Sequence, residues 1–106
     1  MPIGNLFDNV APPSSGECFE SLLSFKNLVI ERIVSSSKVA PTEYVQSQEE
    51  WVVLLQGNAQ LVVEGETVTL CSGDYLFLPA GTPHTVQSVS EGAVWLAIHL
   101  HEQAPL

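Results

Sequence analysis

The sequence has few basic residues, few cysteines and no long apolar run. Three lysines and arginines stand against twelve aspartates and glutamates, which gives a net charge of −9. This excess of negative charge repels nucleic acids and anionic membrane surfaces, which are bound through clusters of lysine and arginine. The apolar runs are shorter than the roughly 20 residues of a membrane-spanning helix. We therefore expect no nucleic-acid partner and no membrane association.

The two cysteines indicate neither a disulfide nor a zinc site. Cys18 and Cys71 lie far apart in the sequence and show no CxxC spacing. The N-terminal residues MPIGNLFDNVAPP lack the basic region and apolar run of a secretory signal. We therefore expect a cytoplasmic protein whose thiols stay reduced.

The length of 106 residues, with 45% of them hydrophobic, is sufficient for one domain over residues 1–106. Residues 1–16 contain several prolines and no periodic pattern, which indicates an extended N-terminal arm. Ser14 and Glu17 have the spacing of a helix-capping box and precede an apolar group of residues. This pattern predicts a short helix over Cys18, Phe19, Leu22 and Leu23.

From Leu28 onward the apolar residues alternate with a period of two, which is typical of strands. Glycine-containing turns separate short strands, and no long helical pattern intervenes. This indicates an all-β fold, an antiparallel sandwich or barrel over residues 28–101. The strands are predicted near 28–35, 42–46, 50–56, 58–64, 67–71, 74–78, 84–89 and 93–101.

The strand predicted at 50–56 is apolar on both faces. Val52 and Leu54 alternate with Trp51, Val53 and Leu55, whereas a half-exposed strand would carry polar residues on one side. The outer face must therefore be covered. The N-terminal arm and helix are one candidate cover and a second subunit is the other, and for so small a domain we expect a homodimer.

The segment from Gly73 to His84 has a glycine, five residues, Pro79, one residue, Gly81, two residues and a histidine. This spacing resembles the second signature of the cupin superfamily. Two rigid turns, at Pro79 and Gly81, fix the direction in which His84 enters its strand. The resemblance implies a jelly-roll barrel, a double-stranded β-helix, with His84 at its pocket.

Glu50, seven residues before Gly57, resembles the end of the first cupin signature. Cupins that bind a metal usually have a His-x-His pair four and six residues before that glutamate, and here those positions hold Gln46 and Tyr44. The resemblance therefore implies a pocket without two of the family's metal-binding histidines. It implies no single reaction, because this barrel serves many activities.

The candidate site residues follow from the chemistry of their side chains. His84 suits a metal ligand, a general acid or base, or a structural hydrogen bond, and Tyr44 can donate a proton. Glu50 shares the inward parity of Val52 and needs a partner if it is buried: a metal, His84 or Arg32, the only arginine. His99, on the strand face of Trp95, lies either on the pocket wall or on the outer surface.

Two hypotheses about function remain open from the sequence. In the first, the pocket of a small metal-assisted or acid/base enzyme holds a small polar molecule, with His84 and Tyr44 as catalytic residues and Gln46, Glu50, Arg32 and His99 around the ligand. A divalent cation (Mn, Zn, Ni or Fe) would bind at partial occupancy through His84, Glu50 and Gln46, because amide and phenol oxygens are weak ligands for most transition metals. In the second, the same residues form a metabolite-binding or regulatory module without catalysis.

Overall fold

The computed structural model describes residues 2–103, and within this range every regular element is a strand. A five-stranded sheet has the order β1-β2-β9-β4-β7, a four-stranded sheet has the order β3-β8-β5-β6, and all neighbouring strands are antiparallel. The predicted all-β jelly roll is confirmed. The strands are β1 Glu17–Phe25, β2 Leu28–Ser35, β3 Glu43–Tyr44, β4 Glu49–Gln56, β5 Asn58–Val63, β6 Glu66–Cys71, β7 Tyr75–Leu78, β8 His84–Val89 and β9 Ala93–Leu100. Among the described residues, no helix has the length and apolar character needed to cross a bilayer.

The hydrophobic core lies between the two sheets. Strand alternation directs Val52 and Leu54 inward from β4, and Trp95 and Ala97 inward from β9, where they meet Leu61 of β5. Full burial of one such aliphatic side chain stabilises the fold by about 1.5–3 kcal/mol.

The helix predicted around Phe19 and Leu22 is wrong, because these residues belong to β1. Strand β1 pairs with β2 along its whole length, from Glu17 opposite Ser35 to Phe25 opposite Leu28. A β-bulge between Ser21 and Leu23 shifts the side-chain alternation, which gives the apolar residues their helix-like spacing. The capping-box contact does not form either, since Glu17 accepts a hydrogen bond from the Ser35 hydroxyl at 2.6 Å.

The N-terminal arm is fastened to the outer surface of β2 by Arg32. The guanidinium donates to the backbone carbonyls of Leu6 and Asp8 at 3.0 and 2.6 Å, and it pairs with Glu20 of β1 at 2.5 Å. Arg32 therefore points away from the barrel interior, which excludes it from the three alternatives for a partner of Glu50. The physical reason is alternation: β2 directs Glu31 and Ile33 inward, so Arg32 between them must point outward.

Strands β4, β7 and β9 carry a second apolar surface on the outside of the five-stranded sheet. We call it the outer apolar face; it contains Trp51, Tyr75, Phe77, Ile98 and Leu100. Tyr75, Phe77 and Leu100 are exposed, and the rings of Trp51 and Tyr75 pack with centroids 5.4 Å apart. A contiguous exposed patch of this kind marks an interaction surface more often than a lone exposed leucine does.

Candidate functional site

A pocket opens between the two sheets beside the packed core, and four core side chains line it: Val52, Leu61, Leu78 and Trp95. Its volume is about 100 Å³, and β1, β2, β4, β8 and β9 all contribute to its lining. Apolar side chains form most of the walls. The charged or titratable side chains that line it, Tyr44 aside, are Glu17, Glu31, Glu50, His84 and His99.

Glu50 lies deep in this pocket. It is the second residue of β4, next to Leu78 of β7 and His99 of β9, and only 7% of its surface is exposed. No side-chain hydrogen bond to Glu50 is found within residues 2–103. Burial raises the pKa of the Glu50 carboxyl, and the nearby His99 and His84 oppose that rise. Glu50 is therefore a buried acid whose oxygens face the cavity.

His84 enters the pocket from the first position of β8. Gly81, at φ 79°, donates its N–H to the Gln46 carbonyl at 2.7 Å, and this fixes the turn that precedes the strand. The Nδ1 atom of His84 lies 3.0 Å from the carbonyl oxygen of Thr82. A carbonyl only accepts hydrogen bonds, so Nδ1 donates to it, and Nε2 makes no hydrogen bond with residues 2–103.

His99 is held on both sides of its ring. Its Nε2 lies 2.9 Å from Glu31 Oε1, and its Nδ1 lies 3.3 Å from the amide nitrogen of Gln48. The hydrogen bond to Glu31 raises the pKa of His99; burial opposes that rise, and Glu50 adds to it. Both ring nitrogens of His99 are therefore engaged by protein groups, and Glu31 and Glu50 both favour its protonated form.

The predicted site residues Tyr44, Gln46, Glu50, His84 and His99 all line this one pocket. The ring of Tyr44 stands 5.9 Å from that of His84, and 43% of Tyr44 is exposed, which places it at the mouth. Arg32 is not part of the lining. His101 lies in a neighbouring cleft beside Ser47 and Gln48.

Glu31 and Glu17 line the pocket and were missed from the sequence. Glu31 shares a face of β2 with Ile33, but both faces of that strand are apolar enough to be buried, so parity alone does not identify the inner one. Glu17 was interpreted as a helix-capping residue. Instead, it ends a hydrogen-bond chain in which the Trp95 indole donates to the Ser35 hydroxyl at 3.0 Å and that hydroxyl donates to Glu17.

Few strong metal donors face the cavity. Within the described part of the chain, no group of three His, Cys, Asp or Glu side chains is arranged to hold a metal ion. Glu50 and His84 are two strong donors, whereas Gln46 offers only an amide oxygen. Firm zinc sites usually have three or four strong protein ligands.

The model of the cupin domain family matches residues 30–99, about two thirds of the chain. The chain belongs to the cupin family. This match runs from within β2 to within β9, and it therefore includes every pocket-lining residue except those of β1.

Among solved structures, this cupin is similar to a Ralstonia eutropha JMP134 protein whose suggested activity is mannose-6-phosphate isomerase. The two are 36% identical with a TM-score of 0.87, over 95% of this chain and 99% of the other. The polyketide cyclase RemF of Streptomyces resistomycificus is 20% identical with a TM-score of 0.74, over 99% of this chain and 82% of the other, and shares the fold.

A curated relative is the quercetin 2,3-dioxygenase of Bacillus subtilis. It is 38% identical over 50 residues, which are 47% of this chain and 15% of the dioxygenase. The matched segment is therefore a small part of that enzyme.

Proposed function

We propose that this cupin binds a small polar molecule in the barrel pocket and exchanges protons with it through Glu50 and His84. The observation that carries this proposal is the state of Glu50, which is buried, faces the cavity and has no hydrogen-bond partner in residues 2–103. The Glu50 oxygens are open to the cavity and receive no side-chain hydrogen bond from residues 2–103, so they are available to a ligand bound there.

The two groups have complementary roles in this proposal. Nε2 of His84 is the base that accepts a proton from the bound molecule, because Nδ1 is occupied by the Thr82 carbonyl. Glu50, with its raised pKa, is the acid that returns one. Tyr44 donates a hydrogen bond at the mouth, and the Gln46 amide orients the ligand. General acid/base catalysis of this kind contributes about 10²–10⁴ in rate.

A non-catalytic metabolite-binding module is the second candidate, and the replacement of the family's histidine pair by Tyr44 and Gln46 favours it. A screen of small polar compounds by NMR separates the two proposals. Binding at Glu50 and His84 together with conversion of the compound supports the enzyme, provided that His84→Gln abolishes conversion. Binding without conversion over days supports the module. Shifts that avoid both residues would contradict both proposals.

We also propose a weak divalent-cation site at His84, Glu50 and Gln46. Restoring the imidazole pair through Tyr44→His and Gln46→His should raise nickel or zinc affinity by orders of magnitude, because two strong donors join two that already face the cavity. Calorimetry on protein purified without a metal-affinity tag measures this gain. A parent that keeps one equivalent of metal after chelator dialysis, or a double variant without gain, would refute it.

A homodimer through the outer apolar face is our proposal for the assembly. The arm is tied down at Arg32 on β2, while Tyr75 and Phe77 of β7 remain exposed. A second copy offers the same flat face, so a two-fold pairing is self-complementary. Sedimentation should give the dimer mass for the parent and the monomer mass for Phe77→Lys. We further propose a cytoplasmic location, in keeping with the exposed free thiols of Cys18 and Cys71.

A further inference from the structure

The charges that line the barrel pocket are unbalanced. Three carboxyl groups, from Glu17, Glu31 and Glu50, line it, and in the part of the chain that the structure describes neither lysine nor arginine does. The only arginine is turned outward to the arm. Glu31 has a counter-charge in His99. Glu17 receives only the neutral Ser35 hydroxyl, and Glu50 receives no hydrogen bond.

The pocket has buried polar groups inside and two exposed aromatic rings at its opening. Glu50 and His84 are both buried at the inner end, while Phe19 is 56% exposed and lies with Tyr44 at the opening. The volume of about 100 Å³ is below the approximately 150 Å³ of a cavity that encloses benzene. The inner end therefore holds a head group of a few atoms, and a larger apolar body would rest against the rings of Phe19 and Tyr44.

We propose that the ligand is a small organic cation, a primary or secondary amine on an apolar or aromatic body, and that phosphorylated and carboxylated compounds are rejected. This inference rests on the proposed function in one respect, the use of the barrel pocket as the binding site. An ammonium group donates charge-assisted hydrogen bonds to carboxylates, and its positive charge favours the ionised form of Glu50, which burial alone disfavours. It is also attracted to the aromatic ring faces at the opening.

An anionic head group meets the opposite situation in this pocket. A phosphate or carboxylate would be brought into a low-dielectric space beside Glu17 and Glu50, without a guanidinium or lysine ammonium group to receive it. The suggested substrate of the Ralstonia relative is a sugar phosphate, which is an anion. The two proteins would therefore differ in the charge of the ligand that they bind. A neutral alcohol can donate one hydrogen bond to these carboxyl groups but brings no positive charge.

The test uses three probes of nearly equal shape: benzylamine, benzyl alcohol and benzoate. Calorimetry and backbone NMR at pH 7.5 measure their affinities and their binding position on the full chain. We expect benzylamine to bind at least about tenfold more tightly than benzyl alcohol, the ratio that one charge-assisted hydrogen bond supplies, and benzoate to bind most weakly. Glu50→Gln should remove most of the preference for the amine.

Glu66→Gln is the matched control, because it removes the same charge from an exposed position of β6 outside the pocket. It should keep the parent's order of affinities. Benzoate or the alcohol binding as tightly as the amine, or no binding of the amine up to 20-fold molar excess at millimolar protein, overturns the proposed ligand class. Tight binding of benzoate at Glu50 and His84 would leave the proposed function standing, whereas shifts that avoid these residues would contradict the proposed function itself.

Discussion

Replacing Glu31 by glutamine tests how the site controls the protonation of His99. The Glu31 carboxylate lies 2.9 Å from Nε2 of His99, and the two side chains are 22% and 9% exposed. Glutamine keeps a hydrogen-bond acceptor in place and removes the charge. Glu50 on β4 and His101 after β9 also face His99, and neither is changed by the substitution. The pKa of His99 should therefore fall.

The effect on stability depends on pH in a defined direction. Hydrogen bonds to charged groups contribute about 1.5–3 kcal/mol and neutral ones about 0.5–1.5 kcal/mol, so the change removes about 1 kcal/mol when His99 is protonated. The pKa of His99 is raised in the folded state above its usual value of about 6.5. The stabilisation is therefore complete below that pH and is lost as pH rises through the raised pKa.

Urea unfolding at pH 5.5 and pH 8.5 measures this difference, and the loss of about 1 kcal/mol at pH 5.5 corresponds to a midpoint shift of roughly 0.5 M. NMR titration of the ring protons gives the pKa directly, since the chain has only three histidines. His101→Gln identifies one of the three signals. An unchanged His99 pKa in Glu31→Gln, or an equal loss of stability at both pH values, would refute the reasoning.

Two further predictions concern the backbone and the arm. Gly57→Ala should lower the free energy of unfolding, measured in urea, by more than Gly81→Ala does. Both glycines have a positive φ, which costs an alanine about 1 kcal/mol, but a Cβ at Gly57 would also lie 2.6 Å from Ser90 Oγ. Equal losses of stability in the two variants would contradict this. Arg32→Lys should speed proteolysis of the arm while the barrel resists, because a lysine ammonium group cannot reproduce the three contacts of the guanidinium. In Glu20→Gln the guanidinium keeps its contacts with the Leu6 and Asp8 carbonyls, so the arm should be cleaved at the parent's rate. Equal cleavage rates in the parent, Arg32→Lys and Glu20→Gln would contradict the role of Arg32.

The central part of the fold could be predicted because the turn residues and the alternation of apolar and polar side chains indicate the same strands. The spacing from Gly73 to His84 encodes a turn, a strand and a second turn, and the structure has β7 and the start of β8 at these positions. Glu50 follows Val52 and Leu54 inward because strand alternation permits nothing else. The pocket residues on β3, β4 and β8 were therefore accessible from the sequence.

The residues contributed by β1 and β2 were not accessible in the same way. A β-bulge gave β1 the apolar spacing of a helix, and only pairing with β2 shows it to be a strand. The choice between Glu31 and Arg32 as the inward residue of β2 depends on which face meets the opposite sheet. The inward face is set by tertiary packing, and it cannot be identified from the sequence of a single strand that is apolar on both faces.

The two tryptophans lie in different parts of the molecule, and each can report on its own surroundings by fluorescence. Trp95 is buried in the pocket wall with its indole bonded to Ser35, whereas Trp51 stacks with Tyr75 on the outer apolar face. Fluorescence from Trp95 should respond to occupancy of the cavity, and fluorescence from Trp51 to the covering of the sheet by another chain. With Trp51→Phe and Trp95→Phe, one instrument can follow ligand entry and subunit association in the same sample without an added dye.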